Sequence, residues 1–335
     1  MKIWTDKQDW LTKDARLKAA SLSPANITRI AVIKHAGLGD MLATRPMLKV
    51  LKERFPNAVL TLSVASNYIK GIPDDIVDRV HISKGSDKKY GFLETIRSYK
   101  ELGPQDILFD ITMTTRSFWI TRLTPAALKI GFKHKGLERF LYDIAISRSY
   151  YRFEAESFLE QLNTIGIQYK WPPMYDYPIA KRTYSKHYIL YFPTASIPDR
   201  GWPLEYMAEL IQKMCKEHPE HDHLLLAGLA DWELEAAKSV ANMVGKPDNF
   251  KMLNAGPDDF SLICHASALV STDTGLRHLA IAANTPTVCF FRETFNIPRY
   301  LPVFGNHKAA IADESGPASV SIAAKAIGEI LAQEN

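Results

Sequence analysis

Nothing in the chain approaches the roughly 20 consecutive apolar residues that a membrane-spanning helix needs. Cysteine is nearly missing: Cys215, Cys264 and Cys289 are odd in number and far apart, and they stand in no metal-ligand spacing. That pattern excludes a disulfide framework and reads as three reduced, buried small hydrophobes. No acidic D-x-D pair stands where it would hold a metal. The first twenty residues, MKIWTDKQDWLTKDARLKAA, are charged throughout and lack the apolar heart of a secretory signal, so a cytoplasmic protein is expected.

What remains is ordinary for a globular protein, 46% hydrophobic and 23% charged, and 335 residues suffice for two domains with separate cores. The net charge of +4 is small but unevenly spread. From Arg116 to Arg152 eight basic residues (Arg116, Arg122, Lys129, Lys133, Lys135, Arg139, Arg148, Arg152) face only Glu138 and Asp143. Such a run is either a solvated face or a surface for an anionic partner: nucleic acid, acidic lipid headgroups or a phosphorylated glycan.

Residues 1–26 read as an amphipathic or irregular extension. Continuous Val/Ile/Leu strands then alternate with helices, which indicates parallel sheets covered on both faces. RIAVIKH, AVLTLSVA, VDRVHI and DILFDIT are strands of the first domain, 27–170. The proline-rich WPPMYDYPIA cannot be a central strand and marks a linker, 171–185. HYILYFPT, HLLLAG, FKML, ALVSTD and TVCFF are strands of the second domain, 186–316. The helix within 317–335 is expected to pack back toward the first domain. The fold class is therefore α/β, with two Rossmann-like, doubly wound parallel-sheet domains facing across a cleft. Ligands in such sheets bind beyond the carboxyl ends of the strands.

Three loops follow strands. HAGLGD carries Asp40 but lacks the third glycine of a dinucleotide fingerprint, which disfavours a dehydrogenase; Asp40 alone would suit a helix cap. FPTASIPDRGWP places Thr194, Ser196 and Arg200 before a helix that starts near Pro203, a combination suited to a diphosphate. VSTDTGLRHLAIAA opens a helix with Asp273, Thr274 and Gly275, and His278 follows one turn on.

IAVIKHAGLGDMLATRPMLKVLKERFPNA, FPTASIPDRGWPLEYMAEL and SLICHASALVSTDTGLRHLAIAANTPTVCFF together resemble glycosyltransferase family 9, the ADP-heptose:lipopolysaccharide heptosyltransferases (heptosyltransferase I/II-like). The likeness runs in order from residue 28 almost to the end, and D-T-G-x-x-H-L-A is its most specific block. It implies a GT-B fold and an inverting transfer from an ADP-heptose donor to a Kdo-lipid A-type acceptor, with no cofactor and no metal. By position Asp40 matches the catalytic base. Thr194, Ser196, Arg200, Asp273, Thr274, Gly275, Leu276 and His278 match the donor site, and Asp231 or Glu233 would hold the ribose. Arg200 replaces the family's lysine, and Arg292 replaces a glycine near the donor. His35, Gly39, Arg116, Arg122, Lys133, Lys135 and Arg139 are the expected acceptor-binding residues. The setting implied is the cytosolic face of a Gram-negative inner membrane, with peripheral contact to the lipid surface. A nucleic-acid partner is not expected, because aromatics do not read as interleaved with the basic run. A non-catalytic nucleotide-sugar binder, or a family member with a different donor or later core acceptor, are the alternatives.

Overall fold

The computed structural model describes residues 1–195, 201–312 and 316–333. Chain contacts divide it into two compact units, Met1–Tyr175 and Asp176–Asn335.

The first unit runs β1 (Trp10–Leu11), α1 (Ala15–Ser21), β2 (Arg29–Ile33), α2 (Leu38–Leu42), α3 (Arg45–Arg54), β3 (Val59–Ala65), β4 (Arg79–Ser83), α4 (Phe92–Lys100), β5 (Gln105–Asp110), α5 (Thr115–Leu123), β6 (Ala126–Phe132), α6 (Glu138–Leu141), β7 (Ile144–Ile146) and α7 (Glu154–Asn163). Its sheet order is β1-β7-β6-β5-β2-β3-β4, parallel throughout except that β1 pairs antiparallel with β7. Ile30–Ile33 and Ile107–Phe109 are buried, as strands covered on both faces must be. The expected strands form. Three more, β1, β6 and β7, join them, and the 1–26 segment supplies one of these together with the buried Ala15 and Ala19.

The second unit runs β8 (Tyr188–Phe192), α8 (Leu204–Glu217), β9 (Asp222–Leu226), α9 (Asp231–Val244), β10 (Phe250–Leu253), α10 (Asp259–Cys264), β11 (Ala268–Thr272), α11 (Gly275–Ala282), β12 (Thr287–Phe291), α12 (Ile297–Tyr300), β13 (His307–Ile311) and α13 (Val320–Leu331). Its six parallel strands are ordered β10-β9-β8-β11-β12-β13. Both units thus share one winding, in which the order reverses between β2 and β5 and again between β8 and β11. Such reversals leave a crevice beyond the strand ends. The loops after these four strands include HAGLGD, FPTAS and STDTG.

The terminal helix was expected to pack toward the first domain. Ala323, Ala324, Ile327, Ile330 and Leu331 of α13 lie in the second unit's core with Met207, Ile211 and Val288. No helix among the described residues is long and apolar enough to cross a membrane.

Gly131 on β6 passes directly under the Tyr142 ring, which a Cβ at that position would overlap. The Tyr142 hydroxyl in turn donates to Asp110 Oδ2 at 2.7 Å. Gly131→Ala is expected to destabilise the first unit by about 1–3 kcal/mol, read as a lowered denaturation midpoint. An unchanged midpoint would show that the ring is free to move aside.

Candidate functional site

In the second unit the STDTG loop leaves β11, and Thr274 takes the N-cap of α11. Its side chain makes no capping bond; the hydroxyl is buried without a partner among the described residues. The free amides of the first turn and an unspent hydroxyl therefore meet at one point, an arrangement suited to an anion. Asp273 precedes it. Burial alone would raise this carboxyl's pKa, but His278 and Arg277 outweigh burial and hold it well below the usual range. Arg277, 0% exposed, donates from Nη2 to Asp273 Oδ1 at 2.6 Å and from Nη1 to the Tyr300 carbonyl at 2.8 Å. It also donates to His278 Nε2 at 3.2 Å, and its guanidinium lies over the Phe291 ring. Gly275 and Leu276 continue the first turn, half-buried.

Beside this loop opens a pocket of about 730 Å³. Its walls come from the ends of β8 (Thr194, Ala195), β12 (Phe290–Arg292) and β13, with Trp202 and Trp232. Trp202 stacks on Phe290 at 3.8 Å and donates from its indole to the Ala318 carbonyl at 3.0 Å, so this wall is fixed. A smaller hollow lined by Asp273, Glu293 and Asn296 shares Phe290, Phe291 and Arg292 with it. The size and mostly apolar lining suit a nucleoside-sized ligand, with polar groups gathered at one end.

The expected donor residues are distributed as follows. Thr194 and Arg292 line the pocket, and Asp273 lines the adjoining hollow. Glu233 is engaged elsewhere: Oε2 accepts from the Ala230 amide at 3.0 Å, closing the start of α9, and Oε1 accepts from Thr194 at 3.4 Å. Asp231 is exposed on the first turn of α9, and Trp232 between the two is the residue that lines the pocket. Ser196 and Arg200 lie outside the described residues. Arg277, Trp202 and Trp232 were not anticipated. The one sequence signal for Arg277 is its place four residues after Asp273, in helical register on an apolar helix.

In the first unit Gly37 caps α2, and Asp40 sits in its first turn with no capping bond, so a capping role is excluded. Asp40 Oδ1 has no partner among the described residues. Gly39 is half-buried beside it. His35 is buried, its amide donating to Thr112 Oγ1 at 2.9 Å while neither ring nitrogen finds a partner among the described residues. Burial, and then the Arg116 guanidinium, depress its pKa to about 3. Arg116 is half-buried, and its Nε is likewise unmatched. Around them lie further charges. Lys34 Nζ is 3.7 Å from Glu154 and over the Phe158 ring, Arg148 pairs with the same carboxylate, and Asp110 accepts from Tyr142 and Thr112. Burial pushes the Asp110 carboxyl upward.

The basic run is only partly available. Lys129 donates to the Thr121 carbonyl and Lys133 to the Gln8 carbonyl, each at 2.7 Å, while Arg148 and Arg152 are paired with glutamates. Arg122, Lys135 and Arg139 remain exposed. Contrary to expectation, aromatics do interleave with them: Trp119 and Phe140 stand 52% and 67% exposed.

His35 stays neutral in the fold, with a pKa of about 3, whereas an unfolded imidazole titrates near 6.5. Between these values the unfolded chain binds the extra proton, so stability is full above about pH 6.5 and falls as pH drops toward 3. His223 and His307, both depressed to about 4, act in the same direction. Denaturation midpoints are expected to fall between pH 6.5 and 4, with a shallower slope in His35→Gln. An equal slope in that variant would overturn the assignment to His35.

A model of glycosyltransferase family 9 (heptosyltransferase) matches residues 95–318. No curated protein sequence matches significantly. Among solved structures, the chain is similar to Escherichia coli heptosyltransferase WaaC with ADP (20% identity, 92% of this chain and 100% of that one, TM-score 0.71). It is also similar to a glycosyl transferase family 9 protein from Veillonella parvula (17%, 91% and 97%, 0.71) and to E. coli ADP-heptose lps heptosyltransferase II (17%, 92% and 99%, 0.66). The two Rossmann-like units have the GT-B fold of these structures, and the chain belongs to glycosyltransferase family 9 (heptosyltransferase), which makes it a glycosyltransferase.

Proposed function

We propose that this enzyme transfers heptose with inversion from ADP-L-glycero-D-manno-heptose to the Kdo-lipid A or inner-core region of lipopolysaccharide, without a metal. The observation that carries the donor side is the pocket walled by Thr194, Trp202, Trp232 and Phe290, which adjoins the ionised Asp273 and the unspent Thr274 hydroxyl. In this reading the nucleoside occupies the apolar pocket. The diphosphate meets the amides of the first turn of α11 together with Arg200, and Asp273 faces the sugar. Those amides and the guanidinium stabilise charge on the departing ADP, the task a metal performs in other transferases.

The acceptor hydroxyl is a poor nucleophile until a base takes its proton. Asp40 is the proposed base, since its carboxylate makes no capping bond and its Oδ1 has no partner among the described residues. His35, neutral and with ring nitrogens unpartnered among the described residues, together with Arg116 would receive acidic groups of the acceptor, and Arg122, Lys135 and Arg139 would dock its phosphates. Trp119 and Phe140 beside them suit peripheral contact with an anionic lipid surface, here the cytosolic face of a Gram-negative inner membrane. One observation favours a different donor sugar within the family: Arg292 lines the pocket where the family pattern has glycine.

Incubation with ADP-heptose and deacylated Kdo-lipid A, read by mass spectrometry, is expected to give one heptosyl addition. ADP should raise the melting temperature more than UDP, GDP or NAD. Stabilisation by another nucleotide instead would overturn the donor assignment. Asp40→Ala should lower kcat by about 10²–10⁴-fold with ADP binding intact; wild-type turnover in this variant would exclude Asp40 as the base. Lys135→Glu with Arg139→Glu should raise the acceptor KM and leave the donor KM unchanged. Equal changes in both would count against the docking surface.

A further inference from the structure

The second unit carries a group of potential metal ligands away from the transfer site. Between α8 and β9 the chain reads His218-Pro219-Glu220-His221. This turn precedes β9, so it lies at the strand-start pole of the sheet, whereas the pocket lies beyond the strand ends. His218 closes α8, and the His221 amide donates back to its carbonyl at 3.2 Å. Nδ1 of His218 and Nδ1 of His221 each stand 3.1 Å from the same Glu220 Oε1, and all three ligand atoms lie within 4.8 Å of one another.

Buried and half-buried groups below hold the turn. The His218 carbonyl can only accept, so the buried His223 must donate to it from Nε2, at 3.3 Å. That leaves His223 Nδ1 to accept from the Tyr191 hydroxyl at 2.9 Å. Asn249 Nδ2 donates to the Cys215 and His221 carbonyls at 3.1 and 3.3 Å, tying the last turn of α8 to the turn itself. The ligand-bearing segment is thus fixed before any ion arrives, which lowers the ordering cost of binding.

Two imidazoles and one carboxylate form a donor set suited to Zn²⁺ and similar borderline divalent ions, and ill suited to Mg²⁺ or Ca²⁺, which take oxygen. Bonds of about 2.1 Å in a tetrahedron set neighbouring ligand atoms about 3.4 Å apart. The two 3.1 Å spacings to Glu220 are close to this, and the two imidazole nitrogens lie within 4.8 Å of each other. The C-terminal end of α8 adds a negative dipole end at the same place. We propose that His218, Glu220 and His221 form a binding site for a Zn²⁺-class ion, with the fourth position taken by water. Both imidazoles ligate as neutral Nδ1 donors, and any protons that they share with Glu220 pass to solvent. The bound ion clips the end of α8 to the start of β9. It takes no part in glycosyl transfer.

Full-length protein without an affinity tag, titrated with ZnCl₂ by calorimetry, is expected to bind one equivalent saturably. Co²⁺ should give the visible absorption of a tetrahedral site. His218→Ala and His221→Ala should each weaken Zn²⁺ binding at least about 10-fold, a loss that even an outer-shell change can produce. His221→Gln, which keeps a hydrogen-bonding side chain in the turn, should lose binding equally and so separates ligand loss from loss of the fold. His134→Ala, in the other unit, should bind as wild type. No saturable binding, or binding unchanged in the His218 and His221 variants, would reduce the cluster to hydrogen bonds around Glu220.

Discussion

A guanidinium shut away from water must be met by acceptors, and Arg277 sets the terms for everything around it. Its two terminal nitrogens reach Asp273 and the Tyr300 carbonyl, and its face covers Phe291. Together with His278, the contact with Asp273 keeps that carboxylate charged despite its burial, and the contact with Tyr300 fastens α12 to the first turn of α11. These contacts tie the loop after β11, the start of α11 and the segment after β12 to one another. The backbone N–H groups of the first turn of α11 are thereby held in a fixed direction.

The two units place their functional loops at the same topological position but furnish them differently. Around the end of β8 and β12 the lining is aromatic and aliphatic, with charge confined to the Asp273 side. Around β2 and β5 the interior is crowded with ionisable groups: Lys34 and Arg148 meet Glu154, Asp110 is held by Tyr142 and Thr112, and His35 is kept uncharged. Buried polar groups of this kind persist only where each is either paired or neutral. One winding has therefore produced an apolar-lined pocket in one unit and a cluster of buried ionisable groups in the other.

Strands with two covered faces announce themselves as runs of Val, Ile and Leu, which is why β2, β3, β5, β8, β9, β11 and β12 could be read directly. The strands missed have local reasons. β6 carries Lys129 in its middle, β13 opens with His307-Lys308, and β7 and β1 are too short to show a period. The DTG block was legible because its chemistry is contiguous. The Asp110–Tyr142 bond joins residues 32 apart through neighbouring strands, and Trp232 reaches the pocket only because α9 starts beside the end of β8. Neither leaves a pattern in the sequence. Charge counting failed for a related reason: Lys133 is occupied by a carbonyl 125 residues away, and nothing near it along the chain says so.

β1 is two residues long, yet it alters what the first sheet presents to its surroundings. Without it β7 would be an outer strand with a free row of amides and carbonyls, the surface on which sheets of separate molecules join. The Trp10–Leu11 pairing with Ile144–Ala145 occupies that row in the antiparallel sense, and the Trp10 indole adds a bond to the Tyr142 carbonyl. A strand so short offers almost no template of its own. The leading segment thus acts as a blunt end-piece that lets an all-parallel sheet, rich in Ile and Phe, stop at its own boundary.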